Sequence, residues 1–247
     1  MIPEQLLNST NTPRTHDTYQ NMLDHYNALK NNPAMLDAAI KTLETTLNYP
    51  FYRFFSNYGT GIGETMEEVA ARKFTDIIPK KDGKKKSKVY EDYNNRNNKK
   101  PSNYDFLITV NGVIKSGEAK VIRAAESKPK QQDKIYELPS LLEERALTYD
   151  ERNASGNQTF QQTKAELFDY LLGIVIYADQ VDFYLVPSGD IKSGKLKITN
   201  QHAGAILEDG STNEGHLSVK DLDSYKVLSV YNEKDLMAAD TLAKYIK

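Results

Sequence analysis

The chain has 247 residues, enough for one large domain, with 39% apolar residues and a net charge of −2. It has no cysteine, which excludes disulfides, thiolate metal sites and a cysteine nucleophile, and fits a reducing cytoplasm. The longest apolar run, residues 171–178, is far too short to span a bilayer, and residues 1–16 lack the apolar core of a signal peptide.

In chain order, residues 18–30 and 33–48 read as two helices, with Leu, Ala, Met and Ile at helical spacing and Pro33 suited to a first turn. Residues 49–58 form an aromatic-rich connection that reads as core packing. Residues 1–58 are thus a helical addition to a single domain whose α/β core spans 59–247. Gly61 and Gly63 lead into a helix at 64–78; without the Lys-Ser/Thr of a phosphate loop, they make no nucleotide site. On that helix Glu67, Ala70, Ala71 and Phe74 share a face, so Glu67 borders an apolar surface. Glu64 and Glu68 read as solvated or helix-N-terminal charges.

Residues 80–100 carry nine Lys/Arg against three Asp/Glu, a net of +6, while the remaining chain has a net of −8. A net-acidic chain that concentrates its positive charge in this way has one segment suited to phosphates. Lys84, Lys85, Lys86, Lys88, Arg96, Lys99 and Lys100 are the candidate phosphate contacts. Asn94, Asn95, Asn97 and Asn98 are the candidate readers of base edges. The Gly and Asn content reads as a mobile loop, either ordering against a duplex or merely solvated.

Asn111-Gly112 between apolar alternating runs predicts a type I′ hairpin, because both residues tolerate positive φ. Val110 then faces Val113, Ile108 faces Lys115, Phe106 faces Gly117, and Asp105 faces Glu118. Lys120 falls on the same face as Glu118. Two carboxylates at roughly 5 Å in an effective dielectric of about 20 repel by about 3 kcal/mol. Either Lys120, as an ion-pair partner, or a hard divalent cation such as Mg²⁺ relieves this.

A polar stretch with Arg123, Lys128 and Lys130 comes next, then a helix at 131–146 interrupted near Pro139, and a loop at 148–158. Residues 159–178 read as one long helix, 181–186 as a buried strand, and 195–199 as a strand. Residues 200–214 are turn-rich, 226–231 form a strand, and 234–246 a closing helix. The pattern implies a mixed central β-sheet flanked by helices. The four histidines have no metal-ligand spacing, which disfavours a zinc site, and no nucleophile-elbow motif occurs. His202, between Gln201 and Ala203, is a turn residue and a further candidate base reader. A glycosidase would use two carboxylates but leaves Lys120 and the basic segment unexplained.

Asp105, twelve intervening residues, then Glu118-Ala119-Lys120, with an acidic helix upstream, resembles the signature of the PD-(D/E)XK (restriction-endonuclease-like) nucleases over residues 60–125. Tyr104 stands where that signature has proline. The resemblance implies a restriction-endonuclease-like core and a Mg²⁺-dependent activity, with Mn²⁺ as substitute. It implies that Asp105, Glu118, the Ala119 carbonyl and Glu67 hold the metal, and that Lys120 orients the attacking water. It further implies a cytoplasmic prokaryotic type II restriction endonuclease that acts as a homodimer on double-stranded DNA. Its ends would be 5′-phosphate and 3′-hydroxyl, and its partner a cognate DNA methyltransferase. A structure-specific repair or recombination nuclease, or a non-catalytic DNA-binding protein on the same fold, is the alternative.

Overall fold

Helix α1, Ile62–Lys73, buries Met66 and Ala70, one turn apart on its inner face. The computed structural model describes residues 33, 48–51, 54, 61–82, 85–97, 104–125, 146–153, 158–200 and 215–246. Apart from end residues, the helices expected at 18–30, 33–48 and 131–146 and the turns at 200–214 lie outside them. Helix α1 is shorter than the expected 64–78, because Phe74 turns extended (φ −105°, ψ 97°). The chain then enters strand β1, Ile77–Pro79.

Strands β2 (Lys81–Asp82) and β3 (Lys85–Lys86) pair as a short antiparallel ribbon. Helix α2 spans Lys88–Asn97, so the expected basic loop is in good part a ribbon and a helix. Tyr90 and Asn94, one turn apart, face inward and give α2 its buried side. Strands β4 (Phe106–Val110) and β5 (Val113–Arg123) form the hairpin. Its turn residues Asn111 and Gly112 have φ of 50° and 77°, the positive values a type I′ turn needs. The register is Phe106↔Gly117, Ile108↔Lys115 and Val110↔Val113, as the turn chemistry requires.

The remaining strands are β6 (Thr159–Thr163), β7 (Tyr170–Ile176) and β8 (Val181–Pro187). After the short helix α3 (Ser188–Lys192) come β9 (Ile198–Asn200), β10 (Gly215–Ser218) and β11 (Lys226–Val230). A short helix α4 (Glu233–Met237) and a 3₁₀ turn at Ala243–Tyr245 replace the expected closing helix at 234–246. The Asp76 carboxylate accepts from the Leu242 and Ala243 amides at 2.7 Å each and fixes that turn.

Residues 159–178 are two strands rather than one helix. Residues 171–176 of β7 are all buried, with Ile174, Val175 and Ile176 β-branched. A strand covered on both faces loses its alternation, so periodicity alone cannot separate it from a buried helix. Gly173 is required here: a Cβ would lie 2.6 Å from the Phe160 ring.

The main sheet is mixed, in the order β1-β4-β5-β7-β8-β11, with β5 and β7 parallel and every other pair antiparallel. On one face Met66, Ala70 and Phe74 pack with Phe106, Ile108, Ile174, Phe183 and Leu236. On the other face Tyr90, Leu107, Leu171, Val175 and Tyr184 pack with Phe160 and Leu217 of the small sheet β6-β10-β9. Phe51 and Phe54, from the aromatic stretch, are core residues of the first cluster. Among the described residues, no helix is long and apolar enough to cross a membrane.

At the far side of the sheet, Asp182 on β8 is fully buried and meets Lys226 Nζ at 2.9 Å. Its other oxygen accepts from Gln180 and Ser229 at 2.7 Å each, so the buried charge is paired and hydrogen-bonded.

Candidate active site

The β4–β5 ladder ends at Phe106↔Gly117, and the site lies at that fork. Gly117 has no side chain because the Phe106 ring covers it, and a Cβ there would stand 2.1 Å from a ring carbon. Beyond the last pair the register slips. The Asp105 amide donates to the Gly117 carbonyl at 2.8 Å, so Asp105 is offset from Glu118 rather than squarely opposed as the hairpin count expects. Its carboxylate turns back across the fork, and Oδ2 accepts from the Ala119 amide at 3.0 Å. In a strand the N–H and C=O of one residue point to the same side, so the Ala119 carbonyl shares that edge of β5.

Ala119 and Val121 point into the α1-side core, whereas Ile114 and Ile122 belong to the opposite cluster. Glu118 and Lys120 alternate with Ala119 and therefore share the face of Ile122. Glu118 Oε1 and Lys120 Nζ form an ion pair at 2.9 Å. A second ion pair joins Asp105 Oδ1 to Lys80 Nζ at 2.7 Å. Sequence reasoning places Lys80 only in the basic segment. It misses this contact because β1, which carries Lys80 to the site, is hidden in the expected helix.

The charges are felt across the cluster. Burial pushes the Glu118 carboxyl up from its ordinary range, and the neighbouring Asp105 charge pushes it further, against the pull of Lys120. On α1, Glu67 is half-buried, while Glu64 and Glu68 are exposed. Burial, then the Asp105 charge, raises the Glu67 carboxyl from 4.5 to about 7, with Lys80 opposing and Glu118 and Glu64 adding to the rise. The structure thus brings Glu67, Asp105, Glu118, Lys80 and Lys120 into one electrostatic unit.

The raised Glu67 carboxyl makes stability depend on pH. Between pH 4.5 and about 7 the unfolded chain ionises this group while the folded protein keeps it protonated. The folded state then binds more protons, so metal-free stability falls as pH rises through that window. Urea unfolding at a series of pH values should show this slope, and Glu67→Gln should flatten it. A slope indifferent to that substitution would refute the assignment.

Tyr104, in the place of the family's proline, is fully buried and stacks on Tyr90 at 4.9 Å between ring centroids. The Tyr90 hydroxyl donates to the Tyr104 carbonyl at 2.6 Å, and the Tyr104 hydroxyl donates to Asn94 Oδ1. Helix α2 is thereby clamped to the residue preceding Asp105. Burial raises the Tyr90 phenol, and Tyr104, Asp105 and Glu118 add to the effect.

That clamp corrects the expectation for Asn94. It is buried, and its amide nitrogen donates to the Tyr90 carbonyl at 2.9 Å, so both ends of the side chain serve the fold rather than a base edge. Asn97 donates to the Tyr93 carbonyl at 2.8 Å but stays exposed, as do Lys88, Asn95 and Arg96. Lys85 and Lys86 form β3; Lys84, Asn98, Lys99, Lys100 and His202 lie outside the described residues.

Every donor that the resemblance assigns to a metal is an oxygen, which suits a hard cation such as Mg²⁺. Burial is the largest cause of the raised Glu67 and Glu118 carboxyls, the Asp105 charge adds to both, and a cation would offset that charge. Among the described residues, no three His, Asp or Glu side chains stand close enough to form a ready metal centre. Lysines occupy the carboxylates instead. No protein-family model matches the chain, and no curated protein or solved structure matches it. The structure defines a mixed α/β protein with an acid–lysine cluster at a strand fork.

Proposed function

We propose that this protein is a Mg²⁺-dependent type II restriction endonuclease. It would hydrolyse phosphodiester bonds of double-stranded DNA at a short specific site, leaving 5′-phosphate and 3′-hydroxyl ends. The observation that carries the reading is the meeting of Asp105, Glu118 and Lys120 where β4 and β5 part, with Glu67 electrostatically coupled to the two carboxylates.

In this reading Asp105 and Glu118 would hold the metal, aided by the Ala119 carbonyl, and Glu67 would support a second metal or a metal-bound water. When bound, the metal supplies Lewis-acid polarisation of the scissile phosphate and a more acidic attacking water. Lys120, on the Glu118 face of β5, orients that water and offsets charge that develops on the phosphate oxygens. The exposed Lys88 and Arg96 of α2 contact phosphates, and the clamp through Tyr90 and Tyr104 ties that contact to the strand end bearing Asp105. A homodimer places one such site on each strand, and a cognate DNA methyltransferase protects the host.

A structure-specific nuclease is the second reading. It gains weight because Asn94 is occupied within the fold, which leaves fewer base readers in the basic segment. Digestion of a fully sequenced plasmid separates the possibilities. Discrete bands with Mg²⁺ and none in excess chelator support the first reading, and smearing or junction preference supports the second. Intact but retarded DNA makes the protein a binding module, and full activity in chelator overturns the metal mechanism.

A further inference from the structure

Lys80 is held in the site by the backbone rather than by a chance reach of its side chain. The β1–β4 ladder pairs Ile78 with Leu107 and ends by pairing Pro79 with Phe106, so Lys80 and Asp105 are the residues that adjoin its last pair. The Lys80 carbonyl accepts from the Ser87 amide at 3.0 Å, which fixes the same residue to the start of α2. From there its ammonium takes Asp105 Oδ1 at 2.7 Å, while Oδ2 accepts from the Ala119 amide. Both oxygens of Asp105 are therefore engaged by the protein itself.

The two lysines are not equivalent. Lys120 lies two residues from Glu118 on the same strand and is the more enclosed, with 24% of its side chain exposed against 36% for Lys80. Lys80 is the more exposed of the two side chains and pairs with Asp105 Oδ1 itself, so a divalent cation that takes that oxygen has to displace its ammonium. We infer that Lys80 is a built-in counter-ion which occupies the cation position at Asp105 and must be displaced before a metal binds. This rests on the metal-dependent reading above.

Two consequences belong to a competing charge and not to a structural prop. Removing the ammonium should make the site take a divalent cation more readily, because a positive charge is lost beside it and Asp105 Oδ1 is released. Keeping the charge should preserve the weaker affinity. A lysine that merely braced the fork would show the opposite, since its loss would loosen Asp105 and weaken metal uptake.

The test is calorimetric titration of Mn²⁺ into the full chain without DNA, for wild type, Lys80→Met, Lys80→Arg and, as a control for the site, Asp105→Asn. Lys80→Met should bind Mn²⁺ about tenfold more tightly than wild type, the order expected for one half-exposed charge a few ångströms away. Lys80→Arg should stay within about twofold of wild type, because a guanidinium restores the positive charge. Lys80→Gln repeats the measurement with a polar head should the methionine variant fold poorly. Unchanged or weaker Mn²⁺ binding in both neutral variants overturns the inference while leaving the nuclease reading intact. No Mn²⁺ uptake by wild type and by both neutral Lys80 variants overturns the nuclease reading itself, and this inference with it.

Discussion

Alanine at Asp105, Glu118 or Lys120 is expected to abolish DNA cleavage, each costing about a thousandfold or more in rate, as for other groups that act on charge developing in a transition state. The three sites differ in what else they support. Asp105 accepts from the Ala119 amide and from Lys80, so alanine there removes an oxygen that the nuclease reading assigns to the metal and also unpins the fork. Asp105→Asn keeps an oxygen for the Ala119 amide and isolates the loss of charge. Glu118→Gln does the same opposite Lys120. Lys120→Ala leaves both carboxylates in place, so binding of DNA in Ca²⁺ should largely survive while cleavage is lost. Of the helix acids, Glu67→Ala should impair cutting and Glu64→Ala or Glu68→Ala should not, because only Glu67 is turned inward. Near-normal cutting by Asp105→Asn or Lys120→Ala, with the fold verified by circular dichroism, would end the nuclease assignment.

The hairpin was legible because its turn chemistry is local. Asn111 and Gly112 admit positive φ, and the count outward from them reproduces the register as far as Phe106↔Gly117. The last step differs only in the backbone, for a non-local reason: beyond the end of the ladder nothing in the turn dictates register, and the Asp105 amide takes the Gly117 carbonyl, while the Asp105 and Glu118 carboxyl groups still meet. The strand at β8 was legible from its own run, whereas β7 was not, since a strand covered on both faces shows no alternation. Strand β1 is three residues long and continues the apolar phase of α1, so Ile77 and Ile78 read as one more helical turn. The place of Lys80 beside Asp105 depends on the β1–β4 pairing, so it is hidden wherever β1 is. Composition alone cannot distinguish a base-reading amide from one buried against a tyrosine pair, as Asn94 is.

The second large effect is on stability, at the far side of the sheet. Lys226→Met is expected to cost about 3–5 kcal/mol, because it leaves the Asp182 carboxylate buried without its counter-charge. Against a total stability of about 5–15 kcal/mol, that is enough to lower the urea midpoint substantially. Methionine is the informative replacement. It keeps an apolar stem over the Tyr149 ring, where the ammonium now sits 4.2 Å from the centroid, and removes the charge. Gln180, Ser229 and, at 3.4 Å, the Tyr184 hydroxyl still donate to Asp182, which holds the loss below that of a bare buried ion. Replacing both partners, Asp182→Leu with Lys226→Met, should recover much of the loss, since the cost lies in the unpaired charge and not in the absence of an ion pair. In the strand order β8 and β11 stand at the opposite edge from β1, so the same variants, held well below their melting temperatures, should retain whatever cleavage the wild type shows. Unfolding of Lys226→Met within about 0.5 kcal/mol of wild type, the scatter usual for an uninvolved surface position, would show that the neutral donors Gln180, Ser229 and Tyr184 suffice to hold the buried carboxylate.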